Sequence, residues 1–111
     1  MEQFDNYQNE GFKYRVTEAT PEERVMGLFE ESGEVAGVFK RLIRGDYSPD
    51  VATTKLHKEL GDILWYVAQI AADNGWKLSE IAAANLDKLE GRKIRNTIIG
   101  AGDDRWCLKQ S

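Results

Sequence analysis

Two acidic segments, residues 30–34 and 59–62, contain the side chains of this sequence that are best suited to chemistry. Acids three positions apart lie on the same face of an α-helix, so each segment can direct a pair of carboxylates at a common ion. A site built only from carboxylate oxygens favours hard ions, Mg²⁺ or Mn²⁺ over Zn²⁺. The candidate residues are Glu30, Glu31, Glu34, Glu59 and Asp62.

The alternative reading of these acids is ordinary solvation, because a single E-x-x-E pair on a helix usually faces water. Two pairs in matching positions favour a shared ion instead. A glycine lies within each pair, at Gly33 and Gly61. Each costs about 1 kcal/mol relative to alanine in a helix interior. We therefore expect each glycine to let another group approach the helix backbone closely.

Local signals predict the helices that would carry the two acidic pairs. Thr20 as a cap, Pro21 in the first turn and Glu23 three residues after the cap predict a helix over 21–44, ended by Gly45. Apolar residues at helical spacing predict a second helix over about 52–74. A third is predicted from a Ser79 cap to about residue 93, and a short first helix over 3–14. The tail, 94–111, is predicted to be irregular.

The rotational positions of the acids predict that the two pairs meet. The apolar residues of the first long helix form a stripe centred near Val35 and Phe39, and its members are Val25, Leu28, Val35, Phe39 and Leu42. Glu31 lies roughly 70° and Glu34 roughly 130° to one side of this stripe. On the second helix, Glu59 and Asp62 lie roughly 80° and 140° from the stripe in the same rotational sense. The short loop between the helices favours an antiparallel hairpin, in which flanks of the same rotational sense lie side by side. The midpoint in sequence between the two acidic pairs falls in that loop, so the pairs would also lie at the same height along the hairpin axis.

Composition limits the classes of function. The 111 residues are expected to form a single domain over 1–111, with a helical core at about 20–93. A net charge of −4 disfavours a nucleic-acid partner. No apolar run approaches the roughly 18–20 residues that span a bilayer, and no signal sequence is evident, so we expect no membrane partner. One cysteine, Cys107, cannot form an internal disulfide, which favours a cytoplasmic location.

Together, the motifs E-E-x-x-E at 30–34 and E-x-x-D at 59–62 resemble the metal-binding signature of the MazG-like nucleotide pyrophosphohydrolases, an all-α family. The resemblance extends through N-L-D-K-L-E-G-R at 85–92 and, more weakly, to G-A-G-D-D-R at 100–105. It implies Mg²⁺, which Mn²⁺ could replace, bound by four carboxylates. It also implies cleavage of a nucleoside triphosphate between the α and β phosphates. The implied metal ligands are Glu31, Glu34, Glu59 and Asp62.

Further roles follow from the resemblance and from helical spacing. Glu30 or Glu34 could accept the proton of the attacking water. Asn85, Lys88 and Arg92 share a helix face and would contact the substrate, although two solvated cations are an equally plausible reading without the resemblance. Asp103 and Arg105 in the tail would close over the phosphates, or else belong to a disordered tail.

The expected architecture is an all-α antiparallel helical hairpin plus a third helix, which forms a four-helix-bundle core in a homodimer or homotetramer. Val38, Phe39, Trp65 and Tyr66 are the expected interface residues; stacking of the aromatic side chains on a base is the less favoured reading. His57 is expected at the surface.

Three other functions stay open. Two are enzymes on the same scaffold, namely a phosphoribosyl-ATP pyrophosphohydrolase and a dCTP- or dUTP-specific pyrophosphohydrolase. The third is a helical dimerisation module that only binds divalent ions.

Overall fold

The computed structural model describes residues 1–95, which form four α-helices without any β-strand in that range. The helices are α1 (Glu2–Phe12), α2 (Pro21–Arg44), α3 (Pro49–Asp73) and α4 (Leu78–Ile94). The all-helical prediction is confirmed for this part of the chain, while the predicted irregular tail lies almost entirely outside it. None of the described helices is long and apolar enough to cross a membrane.

Local capping explains the bounds of α2, which are those that the sequence predicts. The Thr20 hydroxyl accepts a hydrogen bond from the Glu23 amide at 3.1 Å, which satisfies one of the unpaired donors of the first turn. At the other end Gly45 adopts a φ of 84°, the left-handed conformation that glycine accepts without steric cost. Both signals lie within a few residues of the ends that they set.

The starts of α3 and α4 differ from the predictions. Ser48 accepts a hydrogen bond from the Val51 amide at 3.2 Å, so α3 begins at Pro49 rather than near residue 52. The prediction that Ser79 caps α4 is wrong, because α4 begins at Leu78. Side chains of α1 satisfy its first amides: Gln8 Oε1 accepts from Leu78 N at 3.1 Å, and Asp5 Oδ1 accepts from Ser79 N at 3.0 Å.

The hairpin of α2 and α3 is the main packing unit and is antiparallel, as predicted. Gly27 of α2 faces Tyr66 of α3. A Cβ atom at Gly27 would lie 2.4 Å from Tyr66 Cζ, so the tyrosine ring packs directly on the glycine backbone. Val38 and Ala52 are buried near the loop end of the hairpin, which leaves the acidic residues between two packed regions.

Helix α1 packs across the second half of α3 through buried amides. Gln8 Nε2 donates to the carbonyls of Ala68 and Trp76, each at 3.0 Å. The fully buried Gln69 donates in return to the Gln8 carbonyl at 3.2 Å. These bonds join α1, α3 and the start of α4, and they give Gln8 a structural role.

The buried face of α2 is rotated from the one that the sequence predicts. Arg24, Gly27 and Val38 are buried, whereas Val25 and Phe39 of the predicted stripe are about half exposed, at 53% and 48%. Val38 was expected at a subunit interface, and this expectation is wrong because it is buried within the chain. The buried face of α2 includes an arginine and a glycine, which hydrophobic periodicity does not mark as core positions.

Candidate metal centre

Three carboxylates, two from α2 and one from α3, come together beside the hairpin. Glu31, Glu34 and Glu59 each offer one oxygen, and all three oxygens lie within 4.8 Å of one another. Glu31 and Glu59 are half-buried and Glu34 is exposed, the order expected from their rotational distances to the core. The antiparallel hairpin thus brings together residues of both acidic segments.

Two oxygens of this cluster have no hydrogen-bond partner. Glu31 Oε2 and Glu59 Oε2 are buried, and no donor of the described residues reaches either atom. A buried carboxylate oxygen without a donor is unfavourable, since its lost hydration is not replaced. A hard divalent cation between these oxygens would supply the missing interaction, so the donor set fits Mg²⁺ or Mn²⁺.

Crowding also changes the acidity of the cluster. The side chain of Glu59, which approaches within hydrogen-bonding reach and carries a like charge, raises the pKa of Glu34 above its usual value. The pKa of Glu59 is likewise raised, first by the close side chain of Glu31. Carboxylates this close together repel one another unless a proton or a cation lies between them. The cluster therefore favours either a bound proton or a cation.

The other two acidic candidates lie outside the three-oxygen group. Asp62 and Glu30 are both exposed. Their charges still reach the site, because both add to the raised pKa of Tyr66, whose main cause is burial. The charge of Asp62 also raises the pKa of Glu59, and that of Glu30 raises the pKa of Glu34.

A cleft of about 260 Å³ opens beside Glu34 and Glu59. Its lining brings positive charge and an aromatic ring next to the carboxylates, which sequence reasoning missed. The available signal was helical spacing, because Lys55 precedes Glu59 by four residues and Arg41 follows Glu34 by seven. The lining residues are Glu34, Val38, Arg41, Tyr47, Lys55 and Glu59.

The glycines of the acidic pairs face open space. Nothing in the described structure lies within 4 Å of a Cβ built at Gly33 or at Gly61. The close approach expected there does not come from the described residues. Each glycine leaves the backbone beside the carboxylates accessible.

The predicted substrate-binding residues lie on α4 and in the tail. Asn85 is exposed, Lys88 is half-buried and Arg92 is buried. Helix α4 packs against α1 and α3 and makes no contact with α2, the helix that carries Glu31 and Glu34. Asp103 and Arg105 lie outside the described residues.

Trp65, Tyr66 and His57 each make contacts with other residues of the chain. Trp65 Nε1 donates to the Gly11 carbonyl at 2.9 Å, and Tyr66 packs edge-on against Trp65 and on Gly27. Both rings are half-buried within the chain. His57 is exposed, and its Nδ1 lies 2.9 Å from the Thr53 carbonyl oxygen of its own helix.

Comparison with known proteins identifies the family of the chain. Residues 19–95 match the family model of the MazG nucleotide pyrophosphohydrolase domain. The chain therefore belongs to the MazG nucleotide pyrophosphohydrolase family. It is also 42% identical over 82 residues to the Gene 37 protein of Mycobacterium phage L5, a match that covers 72% of each chain. No solved structure matches the chain.

Proposed function

We propose that this protein hydrolyses nucleoside triphosphates, preferably deoxynucleotides, to a nucleoside monophosphate and pyrophosphate in a Mg²⁺-dependent reaction. Membership of the MazG family supports the reaction class. The observation that carries the metal requirement is the pair of buried, unpartnered oxygens on Glu31 and Glu59 beside Glu34. A catalyst of phosphoanhydride cleavage needs mainly positioning and charge stabilisation, which a metal-loaded carboxylate cluster can supply.

Glu31, Glu34 and Glu59 would hold the metal, with Asp62, one helical turn beyond Glu59, as a further ligand. The metal would screen the negative charge of the phosphates and lower the pKa of a bound water. Glu30 lies outside the three-oxygen group and is therefore suited to accept the proton of the attacking water. Glu34 is the alternative acceptor, through a carboxylate oxygen that does not bind the metal.

The remaining substrate contacts belong to the same proposal. Lys88 and Arg92 would bind phosphates and Asn85 the sugar or base, with Asp103 and Arg105 closing over the phosphates. Since α4 does not contact α2, these residues would complete the site most simply in a homodimer or homotetramer, where a second chain presents its α4.

A substrate screen tests the proposal directly. The purified protein is incubated with each common ribo- and deoxyribonucleoside triphosphate, and with phosphoribosyl-ATP, in the presence of Mg²⁺. We expect monophosphate and pyrophosphate as products, loss of turnover in EDTA, and recovery with Mg²⁺ or Mn²⁺. Release of diphosphate and orthophosphate would place the attack at the γ phosphorus and reject the proposal, as would full turnover in EDTA.

A further inference from the structure

The first turn of α4 is capped by side chains of α1, a helix that precedes the residues 19–95 matched by the family model. Gln8 Oε1 accepts a hydrogen bond from Leu78 N at 3.1 Å, and Asp5 Oδ1 accepts one from Ser79 N at 3.0 Å. Asp5 Oδ2 also accepts a hydrogen bond from Ser79 Oγ at 2.7 Å. The first amides of a helix have no partner within that helix, so α1 supplies from a distance what a local cap supplies elsewhere.

The remaining amides and the charge of Asp5 complete this cap. Glu80 N and Ile81 N both donate to the Lys77 carbonyl, at 3.0 and 3.3 Å. The hydrogen bonds with the side chain and then the amide of Ser79 lower the pKa of the Asp5 carboxyl, so it is ionised at neutral pH. A negative charge at the amino end of α4 is favourable, because that end carries the positive pole of the helix dipole.

The described residues hold α4 mainly at its beginning. The helix packs against α1 and α3 but not against α2. Leu78 in its first turn is buried, whereas the apolar side chains of Leu86 and Leu89 further along are exposed. Gln8 Nε2 also donates to the Trp76 carbonyl at 3.0 Å, so α1 ties down the turn that leads into α4. The direction of α4 is therefore set where α1 contacts its first turn.

The direction of α4 matters most at its far end. Lys88 lies ten residues beyond Leu78, a distance of about 15 Å along a helix. A tilt of about 10° at the first turn would therefore move Lys88 by about 2–3 Å. A displacement of this size separates a charged side chain from a phosphate oxygen that it would otherwise contact, because a hydrogen bond tolerates only a few tenths of an ångström.

We propose that Asp5 and Gln8 are positioning residues for substrate binding. By capping α4 from α1, they fix the direction in which α4 presents its predicted substrate contacts, whose identity rests on the proposed function. Those contacts are Asn85, Lys88 and Arg92. The hydrogen bonds of Asp5 and Gln8 go to α3, to α4 and to the turn between them, so the two residues act through α4 and not through the metal ligands.

Titration calorimetry tests this role with the α,β-methylene analogues of the four deoxynucleoside triphosphates, which cannot be cleaved at the proposed bond, in the presence of Mg²⁺. Asp5→Ala removes both bonds to Ser79, and we expect it to weaken analogue binding about tenfold. Asp5→Asn should restore wild-type binding, because its amide can accept from Ser79 N and donate to Ser79 Oγ. Glu2→Ala, which removes an exposed acid of the same helix, is the matched control and should bind as the wild type does. Mg²⁺ binding without nucleotide should be equal in all four proteins.

Hydrogen exchange of the backbone amides measures the cap itself. In Asp5→Ala, the first turn of α4 should exchange about five- to tenfold faster, as for a lost helix cap, while exchange in α2 stays at the wild-type rate. Asp5→Asn should restore slow exchange. Ser79→Ala keeps the amide bond and loses only the hydroxyl bond, so it should change exchange and analogue binding less and in the same direction. This milder variant decides the question if Asp5→Ala does not fold.

The outcomes separate the positioning role from the proposed hydrolysis. If the wild type cleaves triphosphates and Asp5→Ala binds the analogues equally well, the positioning role is overturned and the hydrolysis stands. If the wild type cleaves none, but Asp5→Ala weakens analogue binding and Asp5→Asn restores it, the positioning role is supported and the hydrolysis fails. Loss of Mg²⁺ binding in Asp5→Ala, equal weakening in Glu2→Ala, or a wild type that binds no analogue would each overturn the positioning role.

Discussion

Asp73, the last residue of α3, forms a bidentate ion pair with Arg24 in the first turn of α2. Arg24 Nε donates to Oδ2 at 2.7 Å, and Nη2 donates to Oδ1 at 2.6 Å. Arg15, from the segment between α1 and α2, donates to the same carboxylate. Because the pair joins the open end of the hairpin, it helps to set the register in which Glu31 and Glu34 lie beside Glu59.

Replacing Asp73 with asparagine should destabilise the fold strongly. The change keeps the size of the side chain but leaves two largely buried guanidinium groups without their counter-charge. We expect a loss of about 3 kcal/mol in the free energy of unfolding, measured by urea denaturation at one fixed protein concentration. Asp46→Asn is the matched control, since its pair with Arg44 is exposed and should cost less than about 1 kcal/mol. Equal losses would show that burial of the pair does not matter.

The protein should lose stability at acidic pH because the pKa of Asp73 is lowered in the folded state. The hydrogen bond with Arg24 is the main cause that lowers the pKa of Asp73 from its ordinary 3.8. A lowered pKa contributes stability that is present above 3.8 and is lost as the pH falls through the folded-state value. Denaturation curves recorded between about pH 5 and pH 3 should therefore show wild-type stability falling more steeply than that of Asp73→Asn. Parallel curves would contradict the assignment.

Between mildly acidic and neutral pH, the stability of the metal-free protein should fall as the pH rises. The raised pKa values of Glu34 and Glu59 mean that their ionisation opposes folding. Stability should therefore be lost as the pH rises from the ordinary value of 4.5 through the folded-state values. We expect the melting temperature in EDTA to fall from mildly acidic to neutral pH, and saturating Mg²⁺ to remove most of this fall. An unchanged melting temperature in both buffers would argue against a repulsive cluster.

Glu59→Gln should separate activity from stability. Loss of one charged oxygen ligand should nearly abolish turnover and weaken Mg²⁺ binding, while the apo protein melts no lower than the wild type because repulsion decreases. Kinetics, Mg²⁺ titration and melting in EDTA measure the three effects. Glu18→Gln, which removes an exposed acid outside the cluster, should leave all three unchanged. An active Glu59→Gln variant with a lower melting temperature would make this acid structural.

Two glycines of α2 should respond oppositely to substitution. Gly27→Ala forces a Cβ against the Tyr66 ring, and overpacking of this kind costs about 1–3 kcal/mol. Gly33→Ala meets open space and should stabilise the helix by about 1 kcal/mol. Thermal melting of both variants checks these signs. If Gly33→Ala stabilises the protein but impairs turnover, a ligand or second chain approaches the backbone at that glycine.

The outer apolar face of α2 should be covered by a second copy of the chain. Phe29 and Ile43 are each 83% exposed, and Val25 and Phe39 continue the same stripe. A chain of this size gains much of its core by association, so we expect at least a dimer at micromolar concentration in sedimentation. Phe29→Ser should shift the equilibrium towards monomer, whereas Thr53→Ser, at an exposed position of α3, should not. A stable wild-type monomer would contradict this.

Local sequence signals determined the helical class, the bounds of α2 and the meeting of Glu31, Glu34 and Glu59. Thr20 and Gly45 act on neighbouring backbone groups, so their effects can be read without knowledge of distant contacts. The short loop at 45–48 enforces an antiparallel hairpin, and helical periodicity then brings Glu31 and Glu59 to the same side. The metal ligation, substrate contacts and oligomeric state inferred from the sequence remain predictions.

Only the tertiary structure decided which side of α2 is buried and how α1 holds the start of α4. The buried face of α2 includes Arg24 and Gly27, which no apolar pattern marks, and its position depends on how Gly27 accommodates Tyr66. The partners of Asp73 and the caps of α4 come from segments more than forty residues away in the chain. Such long-range pairs leave no periodic signal, because their geometry exists only after the helices have packed. The same reason hid the cleft that Arg41 and Lys55 line together with Glu34 and Glu59.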